Sequence, residues 1–159
     1  MQFRNIQAEE LEGSVEIAGL DEWLRSIGAT DATVLIVAPS GSGKAAAVGR
    51  LAHRLGRRVL ICDLTELMDY DEPARQLDNL LRICEAQKDT VVYLDKLDRA
   101  LAKAGRAGQA EMLVGHLDSW LTGAHTRLLD SSATVVFTGR DANVVPQSLL
   151  QRFDKQLVA

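Results

Sequence analysis

Metal-ligand and redox chemistry find little to work with in this chain, which has 2 cysteines and 3 histidines among 159 residues. Cys62 and Cys84 fall in apolar segments without metal-ligand spacing and read as reduced core residues. His53, His116 and His125 share no ligand spacing either and read as surface or partly buried positions. No Ser-His-Asp or Cys-His arrangement stands out, so nucleophilic hydrolysis has no candidate. The longest apolar run, Val34–Pro39, is far too short to cross a bilayer. A basic excess is missing too. The net charge of -4 and a pI near 5.4 argue against a dedicated nucleic-acid or anionic-membrane binder. The N-terminal stretch MQFRNIQAEELEG has no apolar h-region, so the expectation is no secretory signal and a cytoplasmic location. No internal repeat, low-complexity tract or linker is found.

What is present is the composition of an ordinary globular chain, 47% hydrophobic and 25% charged. One domain over residues 1–159 is expected. Strand and helix signals alternate along it. Val34–Ala38 reads as a buried strand, and Lys44–Leu55 as a helix with the stripe Val48, Leu51, Ala52 and Leu55, closed by Gly56. Arg58–Cys62 is a second strand. Pro73 opens a helix carrying Leu77, Leu80, Leu81 and Cys84 on one side. Val91–Leu94 is a third strand, and a polar loop around Lys103–Gly108 leads to a helix over Gln109–Leu121, with Leu113, Leu117 and Trp120 on one face. Ala133–Thr138, a short helix at Pro146–Leu150 and a strand at Gln156–Val158 complete the pattern. Leu20–Ile27 also looks helical. Repeated strand-helix units imply parallel strands covered by helices on both faces. Arg50, Arg54, Arg57 and Arg58 gather at the end of the first long helix, where cations favour the dipole. They form either a solvated face or a surface for an acidic partner.

The stretch VLIVAPSGSGKAAA runs from strand to helix through a glycine-rich turn. Gly41 and Gly43 allow backbone conformations that turn successive amides toward one anionic centre. The following helix adds its own N-terminal amides and the positive end of its dipole. Lys44 contributes a point charge for outer phosphates. The pattern G-x-x-x-x-G-K-[ST] maps onto Ala38-Pro39-Ser40-Gly41-Ser42-Gly43-Lys44-Ala45, with alanine at both ends. Ala45 therefore removes the hydroxyl that such loops give to magnesium.

The stretch VVYLDKLDRA places Asp95 at a strand end beside that loop, where ligands bind in parallel sheets. There it could hold a magnesium-bound water. The next residue is Lys96, whose ammonium has no lone pair with which to accept a proton. Lys96 could pair with Asp95 or add a second positive charge to a bound phosphate. Asp98 follows, its direction not fixed by sequence.

Together these residues resemble the AAA+ ATPase superfamily, nearest to its AAA clade. Ile17–Leu24 (IAGLDEWL) looks like the segment before the first strand, APSGSGKA like Walker A and VVYLDK like Walker B. VVFTGRDANVVPQSLLQRFDKQLVA looks like the fourth strand with its sensor-1 end and the arginine-finger helix. The resemblance implies a three-layer P-loop NTPase fold, α/β in class, with a five-stranded parallel sheet in the order 5-1-4-3-2 and no helical lid. It implies that residues 1–30 lie near the adenine site and residues 31–159 form the α/β core. Ala18 and Gly19 would lie by the base, Pro39, Ser40, Gly41, Ser42, Gly43, Lys44 and Ala45 at the phosphates, and Asp95 near the metal. Thr138 would reach toward the γ-phosphate, with Gly139 where many relatives carry asparagine. Arg152 would be either the arginine finger for a neighbouring subunit or a surface arginine. In LTELMDYDEPARQL, Tyr70 stands between Asp69 and Asp71 with no glycine following, unlike a peptide-gripping pore loop.

The implied ligand is ATP or ADP, with magnesium weakened by Ala45, and the implied partner is a second copy or another AAA+ subunit. The altered Ala45 and Lys96 favour a nucleotide-binding module with poor or no hydrolysis, serving assembly or regulation. The alternatives are a working ATPase helped by Asp98 or a partner subunit, and a structural interaction domain that uses no nucleotide.

Overall fold

A single mixed sheet organises the chain. The computed structural model describes residues 2–11, 13, 15–104 and 108–159. Its strands are β1 (Arg4–Ile6), β2 (Thr33–Val37), β3 (Arg58–Asp63), β4 (Thr90–Asp95), β5 (Ala133–Gly139) and β6 (Lys155–Val158). They lie in the order β1-β3-β4-β5-β2-β6. The sheet thus differs in count and order from the expected five-stranded parallel one. The added member is β1, antiparallel to β3 at the sheet edge, while the other neighbouring pairs are parallel. Its three residues, Arg-Asn-Ile, two exposed and one half-buried, carry no apolar alternation, so the strand had no signal to read.

The helices are α1 (Leu20–Ser26), α2 (Lys44–Leu55), α3 (Pro73–Glu85), α4 (Leu97–Lys103), α5 (Gln109–Ser131) and α6 (Gln147–Leu150). Short 3-10 turns occupy Ala8–Leu11, Leu64–Asp69 and Ala142–Val144. Two of the helices depart from expectation. Helix α4 begins directly after Lys96, in a segment that shows only two apolar turns. Helix α5 continues ten residues past Leu121, because Leu121, Ala124 and Leu128 prolong its buried stripe across weak helix formers. The middle of the loop expected at Lys103–Gly108 lies outside the described residues. No helix among the described residues is long and apolar enough to cross a membrane.

Strand alternation divides the core in two. Val34, Ile36, Val59, Val91, Tyr93 and Val136 pack with α1 and α2, whereas Leu35, Val37, Cys62, Val92, Leu94, Val135 and Phe137 pack with α3, α4 and α5. Phe137 is fully buried and stands edge-on to Trp120 and Phe153. Helix α2 ends at Gly56, whose φ of 67° suits the left-handed C-cap.

Three of the four clustered arginines tie neighbouring elements together, although Arg54 and Arg58 are exposed and Arg57 is half-buried. Arg54 donates to the carbonyls of Leu24 and Ile27 at the end of α1. Arg57 donates to Thr134 at 2.6 Å, and Arg58 to Thr90 at 3.1 Å. At the opposite edge Asp154 accepts from the amides of Ala32 and Thr33, anchoring the chain before β6 to the start of β2.

Candidate functional site

Period-2 alternation sends the side chains of Asp63, Asp95 and Thr138 to the α2 side of the sheet, at the ends of three adjacent strands. Asp63 and Asp95 are register partners across β3 and β4. Facing them is the turn between β2 and α2. Gly41 and Gly43 have φ of 81° and 95°, values that a side chain at either position would strain. Gly43 is the N-cap of α2, so the first-turn amides of that helix have no intrahelical acceptor and point into the space between. The amide of Glu16 donates to the Ser42 carbonyl at 2.9 Å, which ties the N-terminal segment to the tip of the turn.

The result is a cleft of about 350 Å³. Of the residues singled out in the sequence, Ser40, Gly41, Gly43, Lys44, Ala45, Asp95, Lys96, Asp98 and Gly139 line it. Pro39 and Ser42 belong to the turn but not to the lining. Thr138 reaches the cleft through Asp95, donating to Oδ1 at 2.7 Å. Ala18 is exposed, and Gly19 caps α1 with φ of 72°; neither lines the cleft. Arg152 is also outside it, its guanidinium 3.0 Å from Asp118 on α5. Tyr70 is exposed at the end of the 3-10 turn.

Lys44 folds back onto the turn, its Nζ 2.5 Å from the Ala38 carbonyl and 3.3 Å from that of Pro39. Burial lowers its pKa from the ordinary lysine range, with Asp95 and Asp98 acting against that shift. Lys96 is paired with Asp63 rather than Asp95, with Nζ to Oδ2 at 2.9 Å. Its backbone takes φ of 67° where β4 breaks into α4, and this turn directs the side chain toward the neighbouring strand. Burial pushes the Asp63 carboxyl up, but hydrogen bonds from Thr65 and Lys96 outweigh it, and the net pKa is lowered.

Asp98 is only 3% exposed, and its Oδ2 accepts from the amides of Arg140 at 3.2 Å and Asp141 at 3.0 Å. It holds the exit of β5 and is committed there. A Cβ added at Gly139 would come within 3.1 Å of the same carboxylate, so a side chain there requires Asp98 to give by a few tenths of an ångström.

Three lining residues escaped the sequence reading: Tyr93, Arg99 and Arg140. Tyr93 stands two residues before Asp95 on one strand, so alternation alone placed both on the same face. Its hydroxyl interacts with Thr138 and Asp95; burial first, and Asp95 after it, raise its pKa. Arg99 and Arg140 each directly follow a residue at the rim, Asp98 and Gly139.

Residues 34–159 match the profile of the ATPase family associated with various cellular activities (AAA). The chain belongs to this AAA family. Among solved structures, this AAA chain is similar to the crystal structure of the FIGL-1 AAA domain, with a TM-score of 0.68 and 16% identity, covering 98% of the present chain. A second crystal structure, the FIGL-1 AAA domain in complex with ADP, matches with the same TM-score and identity. The present chain spans 56% and 57% of those two chains. At that identity the likeness speaks for the α/β AAA-type fold. The loop that begins APSGSGK and the VVYLDK strand both lie within the residues that match the family.

Proposed function

We propose that this AAA chain binds ATP or ADP between the α2 turn and the ends of β4 and β5, hydrolyses ATP slowly or not at all, and serves assembly or regulation. Binding is supported by the two left-handed glycines, the open amides of α2 and Lys44, which together suit an anionic phosphate. The ADP-bound FIGL-1 structure supports the same ligand class by family.

The observation that carries the second half is the fate of the carboxylates. Water attacking a γ-phosphate must be oriented, and its proton needs an acceptor. Lys96 offers no acceptor and is drawn to Asp63 at 2.9 Å. Asp98, the natural substitute, is buried, and its Oδ2 already accepts from two backbone amides. Only Asp95 remains among the lining carboxylates, and it accepts from Thr138. Assembly with a second copy or another AAA subunit follows the family pattern, with Arg152 the residue to offer to a neighbour.

Titration with fluorescent ATP and ADP tests the binding. Lys44→Ala should weaken both by about 2 kcal/mol, the worth of a charge-assisted contact, or roughly thirtyfold. No binding at millimolar nucleotide rejects the proposal in favour of a structural domain. Phosphate release by the intact protein at the roughly one per second or faster of ordinary enzymes, abolished in Lys44→Ala, rejects the slow-hydrolysis half alone.

A further inference from the structure

The nucleotide reading brings an expectation of magnesium, and the side chains around the cleft do not suit that ion. Magnesium in such a site takes a hydroxyl from the residue after the loop lysine and a water held by the acidic strand end. Ala45 offers a methyl group in place of the hydroxyl. At the strand end, Asp95 has one oxygen engaged by Thr138 and the Tyr93 hydroxyl beside it. The remaining charges are of the wrong sign for a cation. Lys44, Lys96, Arg99 and Arg140 line the cleft against two carboxylates, Asp95 and Asp98, and the Oδ2 of Asp98 accepts from two backbone amides.

A polyphosphate carries a charge that magnesium ordinarily reduces. Here fixed cations are arranged to do so. Lys44 and Lys96 approach from opposite walls, one from the start of α2 and one from the end of β4. Arg99 projects from the first turn of α4, and Arg140 follows β5. Lys96 is held at the rim by Asp63, a surface-accessible partner that phosphate oxygens can displace, with the side chains of the pair 37% and 33% exposed.

We infer that the cleft takes nucleoside polyphosphate as the metal-free anion, with Lys96 and Arg99 supplying the charge that magnesium supplies in related sites. This rests on the nucleotide reading above and adds to it a ligand form. It makes magnesium a bystander for binding, since the ion would meet four lining cations and no hydroxyl at position 45.

The test is a titration of the intact protein with ribose-labelled fluorescent ATP, once in excess magnesium and once in EDTA. The wild-type dissociation constants should agree within about threefold, or favour EDTA. Lys96→Glu removes a cation and adds an acceptor. Its binding in EDTA should weaken roughly tenfold and recover in magnesium. Arg99→Gln, which leaves the Asp63 contact untouched, should weaken binding several-fold in EDTA and less in magnesium. It serves as the readout if circular dichroism finds Lys96→Glu unfolded. Wild-type binding that tightens tenfold or more with magnesium overturns the inference and leaves the nucleotide reading standing. Binding in neither buffer overturns both. Variants that weaken binding equally in the two buffers also overturn it, because the cations are then not replacing the metal.

Discussion

The two walls of the cleft are built on opposite principles. The α2 wall works through backbone: two left-handed glycines, a helix N-terminus and one lysine. The strand-end wall works through side chains that engage one another, Lys96 with Asp63, Thr138 with Asp95, and Asp98 with the Arg140 and Asp141 amides. The first-turn amides of α2 have no intrahelical acceptor and stay available to an anion, while Lys44 has only the Ala38 and Pro39 carbonyls to leave. In the other wall both oxygens of Asp63 and one each of Asp95 and Asp98 already accept hydrogen bonds from within the protein. Holding phosphate and activating water are separable properties, and the proposed function assigns this chain the first.

The strongest way to break that contrast is to free the second wall. Lys96→Glu alone would set a carboxylate against Asp63, so Asp63→Asn must accompany it, and Ala45→Thr returns the metal hydroxyl. The triple variant should release phosphate from ATP with magnesium roughly a hundredfold faster than wild type, the scale of one well-placed transition-state contact. A triple variant that binds ATP with magnesium yet stays at the wild-type rate would show that the defect lies elsewhere, for instance in a missing neighbour.

A smaller effect is expected at Asp98, where the strand-end wall bears on stability. Asp98→Ala leaves two amides beside a buried position without their acceptor, at a cost of about 2 kcal/mol. The thermal midpoint should fall by roughly 4–8 °C for a chain of this size. Asp98→Asn keeps an acceptor oxygen and should recover most of the loss. If Asp98→Ala melts like wild type, Asp98 is not holding the β5 exit, and its use as a base is open again.

Legibility in the sequence followed the same divide. The α2 wall was readable because glycine spacing and strand-turn-helix order are local, and the strands and α2 fell where their apolar patterns put them. What went unread depends on pairing across the sheet. Nothing in VVYLDKLDRA announces that Lys96 turns toward Asp63, more than thirty residues earlier, because a left-handed residue at 96 decides it. Asp98 was read as a spare base for the same reason, its partners being the Arg140 and Asp141 amides of a distant strand exit. Tyr93 was within reach, since alternation couples it to Asp95. Strand β1 was not, since a three-residue edge strand is fixed by its partner β3 rather than by its own pattern.

The smallest expected effect separates the walls by pH. Asp63 has a folded pKa below its ordinary value because hydrogen bonds from Thr65 and Lys96 outweigh its burial. A carboxyl of this kind adds stability above its unfolded pKa of about 3.9 and loses that contribution as pH falls through the lower folded value. The difference in thermal midpoint between wild type and Asp63→Asn should therefore be constant from neutral pH down to about 5 and shrink below about 4. The size will be modest and reduced by salt, because the pair is partly solvated. Added polyphosphate should shrink the difference at neutral pH as well, because it competes with Asp63 for the Lys96 ammonium. A difference that survives to strongly acidic pH would mean that Asp63 acts through packing, and the strand-end wall would then not be held by charge at that point.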